Sequence, residues 1–214
     1  MKITIQSSAI RAATICAAKK DIRYYLQGVY INVAHRDYAT VCGTDGHVLF
    51  AGRAAIDTLD GQQAAPWSMI VPLDVAKKID KKAHAVILES LPDGTYLLDG
   101  TRFAPLDGRF PDYSRVIPKL DQVYPENSMA EHGAAHFDYA LIVRGNDALN
   151  AYYGGKTKVY PLEQRGNDSA VMHNGENVAV VVVMPMRIND VAGYQGYNEN
   201  LPDALAAAPV LAAA

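Results

Sequence analysis

Cysteine is almost missing from this chain of 214 residues: only Cys16 and Cys42 occur, in runs that read as a helix and a strand. A disulfide framework is thereby excluded. Both thiols are expected to be inert packing groups, and a reducing compartment, the cytoplasm, is the expected location. Long hydrophobic runs are missing as well. The longest, VAVVVVM at 178–184, is far shorter than the ~20 apolar residues that cross a bilayer, and the opening MKITIQ has no signal-like apolar core. No membrane partner is expected. An excess of positive charge is also absent, with 20 Lys and Arg against 23 Asp and Glu and a net charge of −3. That balance excludes a protein that holds nucleic acid by overall charge and leaves only local basic surface for the purpose.

Signatures of catalysis are missing too. There is no Gly-x-Ser-x-Gly, no Gly-rich phosphate loop and no metalloprotease motif. His132 and His136 stand four apart, but the flanking EHGAAH reads as loop, which does not hold the pair on one helical face. Neither a metal nor a cofactor is expected, and the chain does not read as an enzyme.

What is present is apolar content of 50%, enough to fill a core at this length, and a repeated pattern within it. Short apolar strands run into helix-like segments at MKITIQSSAIRAATICAAKK, WSMIVPLDVAKKIDKK and HFDYALIVRGNDALNAYY. Ile3, Ile70 and Phe137 fall at matching strand positions, 67 residues apart in both steps. Each helix is followed by β-branched and aromatic runs broken by turn dipeptides: VYINVAH, ATVCG and HVLFAG, then AVILES, TYLLD and TRFAPL, then KVYPLEQ, SAVMH and NVAVVVVM. Each unit therefore reads as strand, helix and three strands. The fold class is α+β, built from βαβββ units with sheets on one side and helices gathered on the other.

The helices are sided. In LDVAKKIDKK, Leu73, Ala76 and Ile79 recur at helical spacing, which turns Lys77, Lys78, Lys81 and Lys82 to the other side. The first helix, with Ser7 or Ser8 as its cap, adds Arg11 and Lys19, and the third adds Arg144. This basic set reads either as a solvated helix surface or as a DNA-facing one.

One stretch fits no regular element. DGRFPDYSRVIP at 107–118 opens on a turn dipeptide, and Pro111 and Pro118 push the residues before them toward extended backbone. Yet it carries Phe110, Tyr113, Val116 and Ile117, which a free linker does not need. These apolar side chains imply an anchor.

Four segments together, RYYLQGVYI (23–31), TDGHVLFAG (44–52), DGRFPDYSRVIP (107–118) and VVVMPMRI (181–188), resemble the bacterial sliding clamp family, the β subunit of DNA polymerase III. The resemblance covers residues 1 to about 188 and matches the family's middle and last domains. It implies a DNA clamp fold, with residues 1–110 a domain of two βαβββ units, 111–190 a reduced second domain with one unit, and 191–214 a C-terminal tail. It also implies a hydrophobic cleft for a short peptide motif of polymerase or clamp-loader proteins, walled by the pinned FPDY stretch. Carried over by motif, the cleft comprises Leu26, Thr44, Gly46, His47, Leu49, Pro111, Arg115, Val116, Val182, Val183, Met184, Pro185, Met186, Arg187 and Ile188. Lys19, Lys77, Lys78, Lys81, Lys82, Arg11 and Arg144 would face double-stranded DNA without sequence preference in a homo-oligomeric ring that acts as a processivity factor. The alternative is a non-ring module that competes for clamp partners.

The chain also departs from the family pattern. Val48 follows His47 where the family has a basic residue, and the chain continues past MPMR. Its three units stand against two per domain in six-domain family rings, with 119–135 in the place of a missing half domain.

Overall fold

The computed structural model describes residues 1–59, 66–118, 136–155, 158–163, 169–176 and 178–186. The stretches 119–135 and 191–214, with His132, Arg187 and Ile188, lie outside them. Strand β1 (Lys2–Gln6) alternates as a half-buried strand should, with Ile3 and Ile5 inside and Lys2, Thr4 and Gln6 toward the surface. It runs straight into helix α1 (Ser7–Cys16), which buries Ala9, Ile10, Ala12, Ala13 and Cys16. A 3₁₀ turn (Tyr24–Leu26) leads to β2 (Gly28–Val33), β3 (Tyr38–Thr44) and β4 (Val48–Thr58). The second unit repeats the order with β5 (Trp67–Pro72), α2 (Leu73–Ala76), β6 (Ala85–Ser90), β7 (Tyr96–Leu98) and β8 (Thr101–Phe103). The third contains α3 (Tyr139–Tyr153), β9 (Leu162–Glu163), β10 (Ala170–Met172) and β11 (Ala179–Val183).

Several local expectations change. Among the described residues no strand immediately precedes α3; His136 makes one isolated bridge to Met186, and Asp138 caps the helix by accepting from Ala140 N at 2.8 Å. The periodicity of FDYALIV is thus helical, not extended. Among the described residues of KVYPLEQ, Leu162 and Glu163 pair as strand and the pairing starts after Pro161, which has no N–H for the ladder. Helix α2 is a single turn. Asp80 ends the segment by accepting from Lys82 N at 2.9 Å while its carbonyl accepts from Ala83 N, so the four lysines lie on successive turns instead of along a helix face. Leu73, Ala76 and Ile79 are buried as the spacing required, and Val75 joins them. Ser7 does not cap α1: its hydroxyl donates to the Ala83 carbonyl, joining the first unit to the second.

Among the described residues, eleven strands form one antiparallel network in the order β5-β2-β3-β4-β1-β6-β7-β8, with β11, β10 and β9 branching from β4. The branch arises because β4 is eleven residues long. One edge pairs with β3; the other pairs with β11 along Val48–Gly52 and with β1 along Ile56–Thr58. Helices α1 and α3 pack together on one face over a core that includes Ile3, Ile31, Phe50, Leu149 and Val181. A smaller apolar cluster of Leu26, Cys42, Leu49, Ala51, Ile70, Phe110 and Val182 forms separately. Burial pushes the Cys16 thiol up to about 12 and raises Cys42, so neither presents a thiolate. No helix among the described residues is long and apolar enough to cross a membrane.

The approach of α1 to the sheet depends on Gly43, where a Cβ would collide with the backbone of Ala13. Gly43→Ala is expected to destabilise the chain by about 1–3 kcal/mol through overpacking, seen as a lower urea midpoint at unchanged slope.

Candidate functional site

The stretch 107–118 is pinned at successive points. Leu106 N donates to the Ile70 carbonyl at 2.9 Å, holding the chain beside β5. Phe110 stacks on Tyr30 with ring centroids 4.8 Å apart and planes 4° from parallel. Asp112 accepts from Ser114 N at 3.2 Å and Ser114 Oγ at 2.6 Å, capping a 3₁₀ turn at Tyr113–Arg115. This is the anchor that the apolar side chains implied. It sets Pro111 and Val116 across a hollow from Leu26 and Leu49.

The opposite wall is the turn between β3 and β4. Thr44 Oγ1 donates to the Val48 carbonyl at 2.8 Å and accepts from Gly46 N at 3.0 Å. Asp45 Oδ1 accepts from the N–H groups of His47 and Val48 at 2.9 and 3.1 Å, an arrangement that aspartate favours in turns. Gly46 has φ +92°, and a side chain there would meet the Arg23 guanidinium. Burial raises the Asp45 carboxyl, but the hydrogen bonds from Arg144, His47 and Val48 outweigh it and hold the group below the ordinary carboxylate range.

Strand β11 supplies the third wall. Its register places Val182 opposite Leu49 and Val183 opposite Val48. Alternation sends Ala179, Val181 and Val183 into the helix-side core and Val180 and Val182 to the second cluster. Met184, 37% exposed, stands at the mouth, its N–H donating to the His47 carbonyl at 2.9 Å.

The hollow so formed is about 180 Å³. That is below the roughly 300–1,000 Å³ of pockets that enclose a drug-sized molecule, and it suits apolar side chains of a segment laid across it. Of the residues carried over by motif, Leu26, Thr44, Gly46, His47, Leu49, Pro111, Val116, Val182 and Met184 meet here. Val183 does not, because the strand period buries it on the other side. Arg115, Pro185 and Met186 do not line the hollow; the Met186 backbone bridges to His136 and its side chain is exposed. Arg23, Phe110, Asp112 and Tyr113 also line it. The signal for them was adjacency, since each lies inside or at the start of a motif already singled out. A wider groove of about 660 Å³ runs past Tyr113 along Gly52, Ile117, His173 and Val180, but none of the motif-derived cleft residues lines it.

The members of the basic set differ in their engagements. Lys19 and Lys77 line a separate hollow with Tyr24 and Asp74, and Lys78, Lys81 and Lys82 are exposed. Arg11 is engaged internally, donating to Ser7 Oγ, the Ala83 carbonyl and the Asp80 carbonyl at 2.8, 2.9 and 3.3 Å. Arg144 reaches Asp45 at 2.7 Å. Among the described residues, no group of three His, Cys, Asp or Glu side chains is placed to hold a metal.

No protein-family model matches the chain. The β sliding clamp of Proteus mirabilis is 30% identical over 119 residues, 51% of this chain and 31% of that one. That of Vibrio cholerae is 31% identical over 110 residues, 48% of this chain and 28% of that one. The Caulobacter crescentus polymerase III β structure superposes with TM-score 0.59 at 16% identity, covering 87% of this chain and 66% of that one. A Pseudomonas aeruginosa sliding clamp bound to griselimycin superposes with TM-score 0.55 at 18% identity. The chain is thus similar to the bacterial sliding clamps over about half its length. It carries the clamp fold, and its sequence match spans less than a third of the second of those curated clamps.

The Asp45 turn has a pH signature. A carboxyl whose folded value lies below its unfolded value of ~3.9 contributes stability that is present above about pH 4 and lost as pH falls through the folded value. Between pH 6 and pH 3, the unmodified chain should lose more stability in urea than Asp45→Asn does.

Proposed function

We propose that this chain is a clamp-like replication protein whose hollow at the β4–β11 junction captures a short apolar motif of a polymerase or clamp-loader protein. One observation carries the reading: residues from four segments far apart in sequence converge on a single small apolar hollow, which has an adaptable methionine at its mouth. The helix layer lies on the other side of the sheet. Exposed Lys19, Lys77, Lys78, Lys81 and Lys82, in the turns that follow α1 and α2, offer phosphate contacts without sequence preference. Replacing the last four with Gln should flatten the dependence of DNA association on salt.

The non-ring reading has one observation in its favour. The outer strand β8 has only three residues, a short edge that discourages continuation of the sheet into a neighbouring copy, whereas β5 at the other end has six. Light scattering and retention on closed circular DNA separate the two readings: a ring is retained, whereas a monomeric module is not.

Griselimycin, bound by the Pseudomonas aeruginosa clamp, serves as the probe of the hollow. The unmodified chain should bind it in calorimetry. Met184→Ala and Val116→Ala, which remove partly exposed side chains at the mouth, should each weaken binding about tenfold. Val183→Ala should instead lower stability by about 1–3 kcal/mol and leave affinity intact. Equal weakening by all three, or no binding at all, contradicts the assignment.

A further inference from the structure

Arg144 lies on α3, 99 positions from Asp45, yet its guanidinium joins three parts of the molecule. Nη1 donates to Asp45 Oδ2 at 2.7 Å, and Nη2 donates to the carbonyls of Ile15 and Cys16 at 3.3 and 3.2 Å. Those carbonyls end α1, where the last acceptors of a helix have no partner of their own. The other oxygen of Asp45 holds the N–H groups of His47 and Val48, and the His47 carbonyl receives Met184 N. A continuous hydrogen-bonded path thus runs from the helix layer, through one arginine, to two walls of the hollow. The side chains are only 32% and 19% exposed, so water competes less for this pair than at an open surface.

We infer that Arg144 is a positioning residue of the hollow: acting through Asp45, it fixes the Thr44–Leu49 turn against α1 and so sets the shape that an incoming segment meets. The inference rests on the reading of the hollow as a binding site. The chemistry requires arginine. A planar fork reaches the carboxylate from one nitrogen and two carbonyls from another, whereas an ammonium must direct all of its donors from a single atom.

The test compares Arg144→Met, Arg144→Lys and Met184→Ala in griselimycin titrations, with amide hydrogen exchange at His47 and Val48 measured on each free protein. Arg144→Met should weaken binding about tenfold, as expected for groups coupled in one network. It should also speed exchange at those two amides while the β1–β6 pairing stays protected. Arg144→Lys should recover part of both effects. Met184→Ala should weaken binding without changing the exchange. Val183→Ala serves as a variant destabilised elsewhere; if it weakens binding as much as Arg144→Met, the arginine acts through general stability and the inference fails. Binding and exchange left unchanged by Arg144→Met, in a protein whose affinity does respond to Met184→Ala, overturn the inference alone. Absence of binding by the unmodified chain, or indifference to Met184→Ala, overturns the reading of the hollow and this inference with it.

Discussion

The structure depends on β4 carrying different partners along one edge. A strand of eleven residues rises about 36 Å at ~3.3 Å per residue, long enough to serve β11 at its start and β1 at its end while β3 holds the opposite edge. That division brings the third unit against the first without an interface between separate sheets. It also sets the register of β11, and register decides which valines face the hollow. A slip by one residue would bury Val182 under the helices and turn Val181 and Val183 outward.

The hollow is therefore a product of sheet geometry more than of loop shape. Two of its walls descend from β4 and β11, and the third is a stretch of chain tied down by Phe110 on Tyr30 and by the Asp112 cap. Rigid walls leave little ordering cost when a ligand arrives. Adaptability is confined to the mouth, where Met184 and Val116 are 37% and 42% exposed. Such a site can accept related segments without rearranging its sheet.

Much of this was legible in the sequence because strand and turn signals act locally. The order of strands and helices in the first two units follows from hydrophobic alternation and turn dipeptides, and Ile3 and Ile5 lie buried where alternation put them. Buried Leu73, Ala76 and Ile79 follow from helical spacing even though α2 stops after one turn. What was not legible depends on distant partners. Nothing near Arg144 in the sequence announces Asp45, so its charge read as surface. Val182 and Val183 are indistinguishable by type; alternation puts them on opposite faces, and only the register against Leu49 and Val48 decides which one meets the hollow. Ser7 looked like a helix cap because the residue type fits, but the Ala83 carbonyl, contributed by the second unit, took its hydroxyl.

The most direct measurement is the cross-strand pattern of nuclear Overhauser contacts between β4 and β11 in the isotopically labelled chain. The account expects backbone contacts that pair Val182 with Leu49 and Val180 with Ala51. Contacts displaced by one residue, or none between the two strands, would contradict it.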